Sequence, residues 1–246
     1  MKASKILNGG QLKLIAMITM LIDHIGLLIV YPLYQQACFV DGVDMLGASA
    51  PREAQILYAV YMIMRSVGRL ALPIFAFMIV EGFLHTRSVK KYIRRLAIFA
   101  IISEIPFDLA FHNELIYSRA QNVMWTFLIA VVMLYVMQKT KLNAAKAILI
   151  TVCAGLLAYF CDGGIGTIFM IASMYLFRNS KKHWWFGCTL SILIITTEFM
   201  WIQLFAIVSL ALLQLYNGER GKVNKYVFYI FYPAHLLILA LIGQTL

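Results

Sequence analysis

Long apolar runs follow one another along almost the whole chain, separated only by short polar segments, and this pattern predicts an all-α, polytopic transmembrane helical bundle. Nine spans can be drawn, at approximately 13–34, 56–84, 96–111, 122–137, 144–161, 165–177, 184–197, 200–216 and 226–245. A bilayer crossing takes about 20 residues. The third, sixth and seventh runs fall short of that and are expected to tilt, re-enter or merge, which sets the range at eight to ten. The break between the seventh and eighth rests on Thr196-Thr197-Glu198 alone.

Composition agrees with the class. Hydrophobic residues make up 62% of the 246, charged residues 13%, and the mean hydropathy is +0.82, well above soluble-domain averages. No polar stretch is long enough for a separate soluble unit, so residues 1–246 form one integral-membrane domain. The formal charge of +10 is a topology signal. With a cytoplasmic N-terminus, only Arg52 and Arg119 of the 21 Lys and Arg fall in outer segments and only Arg65 and Arg69 in the membrane, Lys13 and Lys146 at the inner span ends counting with the inner segments. Asp41, Asp44, Glu53, Glu114, Asp162 and Glu198 gather on the outer side, and no segment reads as a nucleic-acid-binding module. The expected location is the bacterial cytoplasmic membrane. The first run is too long for a signal-peptide core and carries Asp23-His24 at its centre, so it reads as a retained span. Cys38, Cys153, Cys161 and Cys188 match no zinc spacing, and no metal is expected. Cys38 and Cys161 share the outer face, where an oxidising compartment would allow a bridge; the plainer reading makes all four small buried residues.

The chemistry is concentrated in the few polar positions inside the runs. Arg65 and Arg69 stand one helical turn apart in a run otherwise interrupted only by Glu81. A charge near the bilayer centre costs roughly 2.5–3.5 kcal/mol, so two like charges need carboxylates on neighbouring helices or an anionic ligand. Asp23 near the middle of the first span is an apt counter-ion. The adjacent His24 diverges by about 100° and can act as an acid–base group, the alternative being a structural histidine bonded to a backbone carbonyl. Glu104 and Asp108, on either side of Pro106, would repel each other unless cations such as Arg65 and Arg69 faced them; the alternative is a charge-balancing network that fixes helix packing. Pro73, Pro106 and Pro233 are expected to kink the charged spans and open a cavity. Tyr232 and His235 add polar groups to the inner half of the final span, and Glu81 with His85 marks the cytoplasmic mouth ahead of the basic stretch 86–95. Together these describe a site filled by an anionic ligand from the cytoplasm, although a positive-inside loop, or one facing anionic headgroups, would carry the same Lys90, Lys91, Arg94 and Arg95.

At these residues the sequence resembles the TraX family of bacterial membrane proteins. The matching stretches are Met20-Leu-Ile-Asp-His-Ile-Gly26, Gly68-Arg-Leu-Ala-Leu-Pro-Ile-Phe-Ala-Phe77, Glu81-Gly-Phe-Leu-His-Thr86, Lys91-Tyr-Ile-Arg-Arg-Leu96 and Ser103-Glu-Ile-Pro-Phe-Asp108. They continue with Asn122-Val-Met-Trp-Thr126, Asn217-Gly-Glu-Arg-Gly221 and Phe228-Tyr-Ile-Phe-Tyr-Pro-Ala-His235. At Asp162-Gly-Gly-Ile-Gly166 the chain departs from the family's Asp-Tyr-Gly, and no role is carried onto that loop. The founding member acetylates the N-terminus of conjugative pilin, and the resemblance extends to membrane acyltransferases that use cytoplasmic acetyl-CoA. It therefore implies an acetyltransferase with His24 as the matching intramembrane histidine. On that reading His24 is the general base or a transient acetyl carrier, Asp23 and Glu104 are counter-charges that orient Arg65 and Arg69, and Arg65, Arg69, Glu81, His85, Asn122, Tyr232 and His235 bind donor or acceptor. A pilin-like membrane protein, a peptide, a sugar or a lipid would fit as acceptor. Arg pairs and intramembrane carboxylates also mark transport paths, so a transporter of a small anion or proton-coupled solute is the alternative; a non-enzymatic assembly partner for small membrane proteins is a third.

Overall fold

A computed structural model describes residues 6–40, 43–44, 47–199, 201–222 and 224–245. Lys2, Lys5 and Asp41 lie outside the described residues, as do the side chains of Asp44, Thr196, Thr197 and Glu198. The first apolar run is helical from Gly9 to Cys38: α1 (Gly9–Ile25), one π-helical turn (Gly26–Val30) and α2 (Tyr31–Cys38). Asn8 starts it with a capping box, its side chain accepting from the Gln11 amide while Gln11 reaches back to the Asn8 amide. A two-residue strand pair, β1 (Phe39–Val40) and β2 (Val43–Asp44), turns the chain toward α3 (Arg52–Gly68).

The second run is two helices rather than one. It breaks at Arg69-Leu70, and α4 (Ala71–His85) begins afresh with Pro73 in its first turn, where a missing amide hydrogen costs nothing. α5 (Val89–His112) absorbs the basic stretch into its opening turns and reaches 24 residues, so the third run is not short. Pro106 and Pro233 lie inside uninterrupted helices. α6 (Val123–Lys139), α7 (Ala144–Leu157), α8 (Gly164–Leu176) and α9 (Lys181–Phe199) follow. A 3-10 segment (Trp201–Ala206), α10 (Ile207–Leu213) and α11 (Lys225–Gly243) complete the order. By length and composition three helical stretches are able to cross a membrane, Gly9–Cys38, Arg52–His85 and Tyr226–Gly243, with shorter apolar helices beside them.

α1 packs between α3, α4 and α11; α5 lies against α6 and α11, and α8 against α9 and α4. α5 shows the solvent the bundle is built for. Its inner stripe buries Tyr92, Leu96, Ala100, Ser103 and Phe107, while its outer stripe presents Ile98, Ile101, Ile102 and Ile105. Apolar residues on both faces of a helix call for protein on one side and lipid on the other.

Candidate functional site

The two intramembrane arginines close on one carboxylate. Arg65 Nη1 donates to Asp23 Oδ2 and Arg69 Nη2 to Asp23 Oδ1, each at 2.5 Å. Arg69 has two further bonds, Nε to the Arg65 carbonyl at 3.2 Å and Nη1 to Gln203 Oε1 at 3.3 Å. The ion-paired carboxylate reaches both cations because Gly68 faces it. A Cβ on Gly68 would fall 2.1 Å from Asp23 Oδ1, 2.3 Å from its Cβ and 2.5 Å from its Cγ.

His24 points the other way, as its position on the helix requires. Its Nδ1 lies 2.7 Å from His235 Nε2 on α11, with the two rings 7° from parallel, and His235 Nδ1 lies 2.8 Å from the Phe231 carbonyl. Phe111 packs edge-on against His24. The π-helical turn begins two residues after His24, and such turns recur where a helix must redirect its side chains at a functional site. Asp23, His24, Arg65, Arg69, Gln203 and Tyr232 all line one cavity of about 490 Å³, and Asp162 joins them. Sequence reasoning passed over Gln203, although an amide in an apolar run is the same signal that marked the arginines. Asp162 reaches this cavity by a loop, its amide donating to the Gln121 carbonyl and its carbonyl accepting from Thr126 Oγ1.

Glu104 and Asp108 do not face the arginines, contrary to expectation. α5 packs on α6 and α11, whereas the arginine-bearing α3 packs on α1. Glu104 Oε2 instead accepts from Asn122 Nδ2 and from Trp125 Nε1, the latter at 2.8 Å, and Asp108 Oδ2 accepts from the Tyr117 amide at 2.8 Å. Asn122, fully buried, also donates to the Ala100 carbonyl and caps α6 through the Met124 amide. Neither Glu104 nor Asn122 lines the cavity that holds the arginines. Asn122→Ala is expected to lower unfolding free energy by about 2–3 kcal/mol, since it removes a helix cap and a donor to a buried carboxylate. Denaturation in detergent micelles would measure this, and an unchanged transition would rule the network out as a source of stability.

A second cavity, of about 750 Å³, opens between the N-terminal turns of α1, the α4–α5 junction and the loop 214–221. Glu81 and His85 line it with Lys13, Lys91, Arg95 and Arg220. Glu81 Oε2 accepts from the Tyr216 hydroxyl, and His85 Nδ1 lies 2.9 Å from the Glu81 carbonyl. The loop is stitched to α1: the Asn217 amide donates to the Leu7 carbonyl and the Gly9 amide to the Glu219 carbonyl. Phe75 and Phe228, with ring centroids 4.7 Å apart, line both cavities and stand between them. Cys38, Cys153, Cys161 and Cys188 are all free thiols, and Cys153 is exposed rather than buried. Cys38 packs with Ala50 and Ala54, while Cys161 lines the smaller cavity.

The fold and site define a class first: an all-helical protein of membrane character whose buried ion pairs and histidines converge on an interior chamber. The family model described as TraX protein matches residues 8–243, and the chain belongs to the TraX family. It is 27% identical over 258 residues to the probable fimbrial assembly protein FimC, serogroup H1, of Dichelobacter nodosus, a match covering 94% of each chain. No solved structure matches the chain.

Proposed function

We propose that the protein is a multi-pass acetyltransferase of the bacterial cytoplasmic membrane, with about nine spans and a cytoplasmic N-terminus, that moves an acetyl group from acetyl-CoA to an amine or hydroxyl. The observation that carries this reading is a histidine cavity separated from a strongly basic cavity by one pair of phenyl rings. With the N-terminus inside, the basic cavity faces the cytoplasm, where Lys13, Lys91, Arg95 and Arg220 suit the phosphates of a CoA thioester. His24 would take the proton from the acceptor as its nitrogen or oxygen attacks the thioester carbonyl. The tetrahedral oxyanion would form within reach of Arg65. Collapse then breaks the carbon–sulfur bond, and the departing thiolate recovers the proton from His24. The fimbrial relative makes a pilin-type subunit the first acceptor to try, with a peptide, sugar or lipid next.

His24→Ala is expected to abolish a gain of one acetyl group on the acceptor, read by intact mass, while the protein still folds. Acetyl-CoA should raise the thermal midpoint of the purified protein. Full activity in the variant would remove His24 from the mechanism, and no thermal shift at millimolar acetyl-CoA would remove the donor. Uptake of a labelled anion into proteoliposomes without chemical change would favour transport instead.

A further inference from the structure

His24 and His235 share one short contact, and the atoms beyond it decide which way that contact runs. A carbonyl oxygen can only accept, so the 2.8 Å contact from His235 Nδ1 to the Phe231 carbonyl requires a hydrogen on that nitrogen. A neutral His235 then has a bare Nε2. The 2.7 Å contact to His24 Nδ1 must be closed by the hydrogen of His24. His24 is left with its lone pair on Nε2, which makes no protein hydrogen bond among the described residues and belongs to a side chain lining the cavity. The reverse arrangement would need a doubly protonated His235. That ring is 5% exposed and closely flanked by the rings of Phe231 and Tyr232, while the carboxylate of Asp23 is committed to Arg65 and Arg69. Neither nitrogen of His235 has a carboxylate partner among the described residues, so nothing there would hold an imidazolium.

We infer that His235 is a positioning residue that fixes His24 as the Nδ1–H tautomer and so aims the basic Nε2 into the cavity. This rests on the acetyltransferase reading for its purpose but not for its test. His235 touches no reacting atom. It acts as the backbone-anchored acceptor that orients an imidazole and steadies the imidazolium formed when His24 takes a proton. The anchor is independent of the rest of the site, because Phe231 lies one turn earlier on the same helix as His235.

The test uses the full-length protein in micelles, labelled with nitrogen-15 histidine, with the His24 signals assigned by their loss in His24→Ala. At neutral pH His24 should show a pyrrole-type Nδ1 and a pyridine-type Nε2. His235→Leu should scramble that assignment and lower kcat for acetyl transfer by roughly 10²-fold or more, with KM for acetyl-CoA unchanged, in line with the usual worth of a general base. His235→Gln, whose amide oxygen can accept from Nδ1–H, should restore the tautomer and bring kcat to within about tenfold of the parent. A pyridine-type Nδ1 in the parent protein would overturn the inference, as would an unchanged His24 tautomer in His235→Leu. If the parent shows no acetyl transfer, the enzyme reading fails and the nitrogen spectra still decide the tautomer.

Discussion

Gly68→Ala is expected to damage the fold nearly as badly as deleting Asp23. The added methyl would stand 2.1 Å from Asp23 Oδ1 and 2.3 Å from its Cβ, so rotating the carboxylate does not relieve it. α1 and α3 must move apart, and the two 2.5 Å ion pairs go with them. Breaking a buried pair typically costs about 3–5 kcal/mol, because the surviving charge keeps its desolvation penalty without its partner. Here two guanidiniums would be stranded. Unfolding in micelles should show Gly68→Ala and Asp23→Ala falling by similar amounts, and a parent-like transition for Gly68→Ala would mean that the helices are not held at this distance.

Arg65→Lys is expected to leave the fold and lose the reaction. The two arginines are not equivalent. Arg69 spreads its donors over Asp23, Gln203 and the Arg65 carbonyl, whereas Arg65 makes a single bond to Asp23 among the described residues. Arg65 therefore keeps donors for whatever occupies the cavity. A lysine retains the charge opposite Asp23 but loses the planar fork. Acetyl transfer should fall about 10²–10³-fold, the usual worth of one donor to a tetrahedral oxyanion, with a smaller loss of unfolding free energy than in Asp23→Ala because the lysine keeps a cation opposite the carboxylate. Arg69→Lys should do the opposite, weakening the fold first. Equal activity losses in the two variants, with equal stability losses, would erase this division of labour.

The helical class and most of the cavity's polar set were legible in the chain because charges in apolar runs are too costly to be incidental. Asp23, His24, Arg65 and Arg69 stand out on that ground and line one cavity, and His235 joins them through its contact with His24. The pairing of Glu104 and Asp108 with the arginines was misread for a definite reason. Position along a span gives height in the bundle but not bearing around it, and α5 turns its carboxylates toward Asn122, Trp125 and the Tyr117 amide. The break at Arg69-Leu70 was hidden because Pro73 acts three residues downstream of it, inside a new first turn. Gly68 showed only as the first residue of a family-matching stretch, with no physical reason attached to it. Its meaning lies in what stands opposite, which only the assembled bundle reveals.

The contact between His24 and His235 joins residues 211 positions apart, and the loop beside Asn217 is stitched back to residues 7 and 9. A ribosome delivers α1 into the bilayer long before α11 exists, so the growing chain holds its reactive imidazole with neither an orienting partner nor a finished basic chamber. On the acetyltransferase reading, competence would arrive late, with the completed insertion: a truncated or stalled product lacking α11 would hold His24 without its partner, and membrane assembly would be the step that switches the protein on.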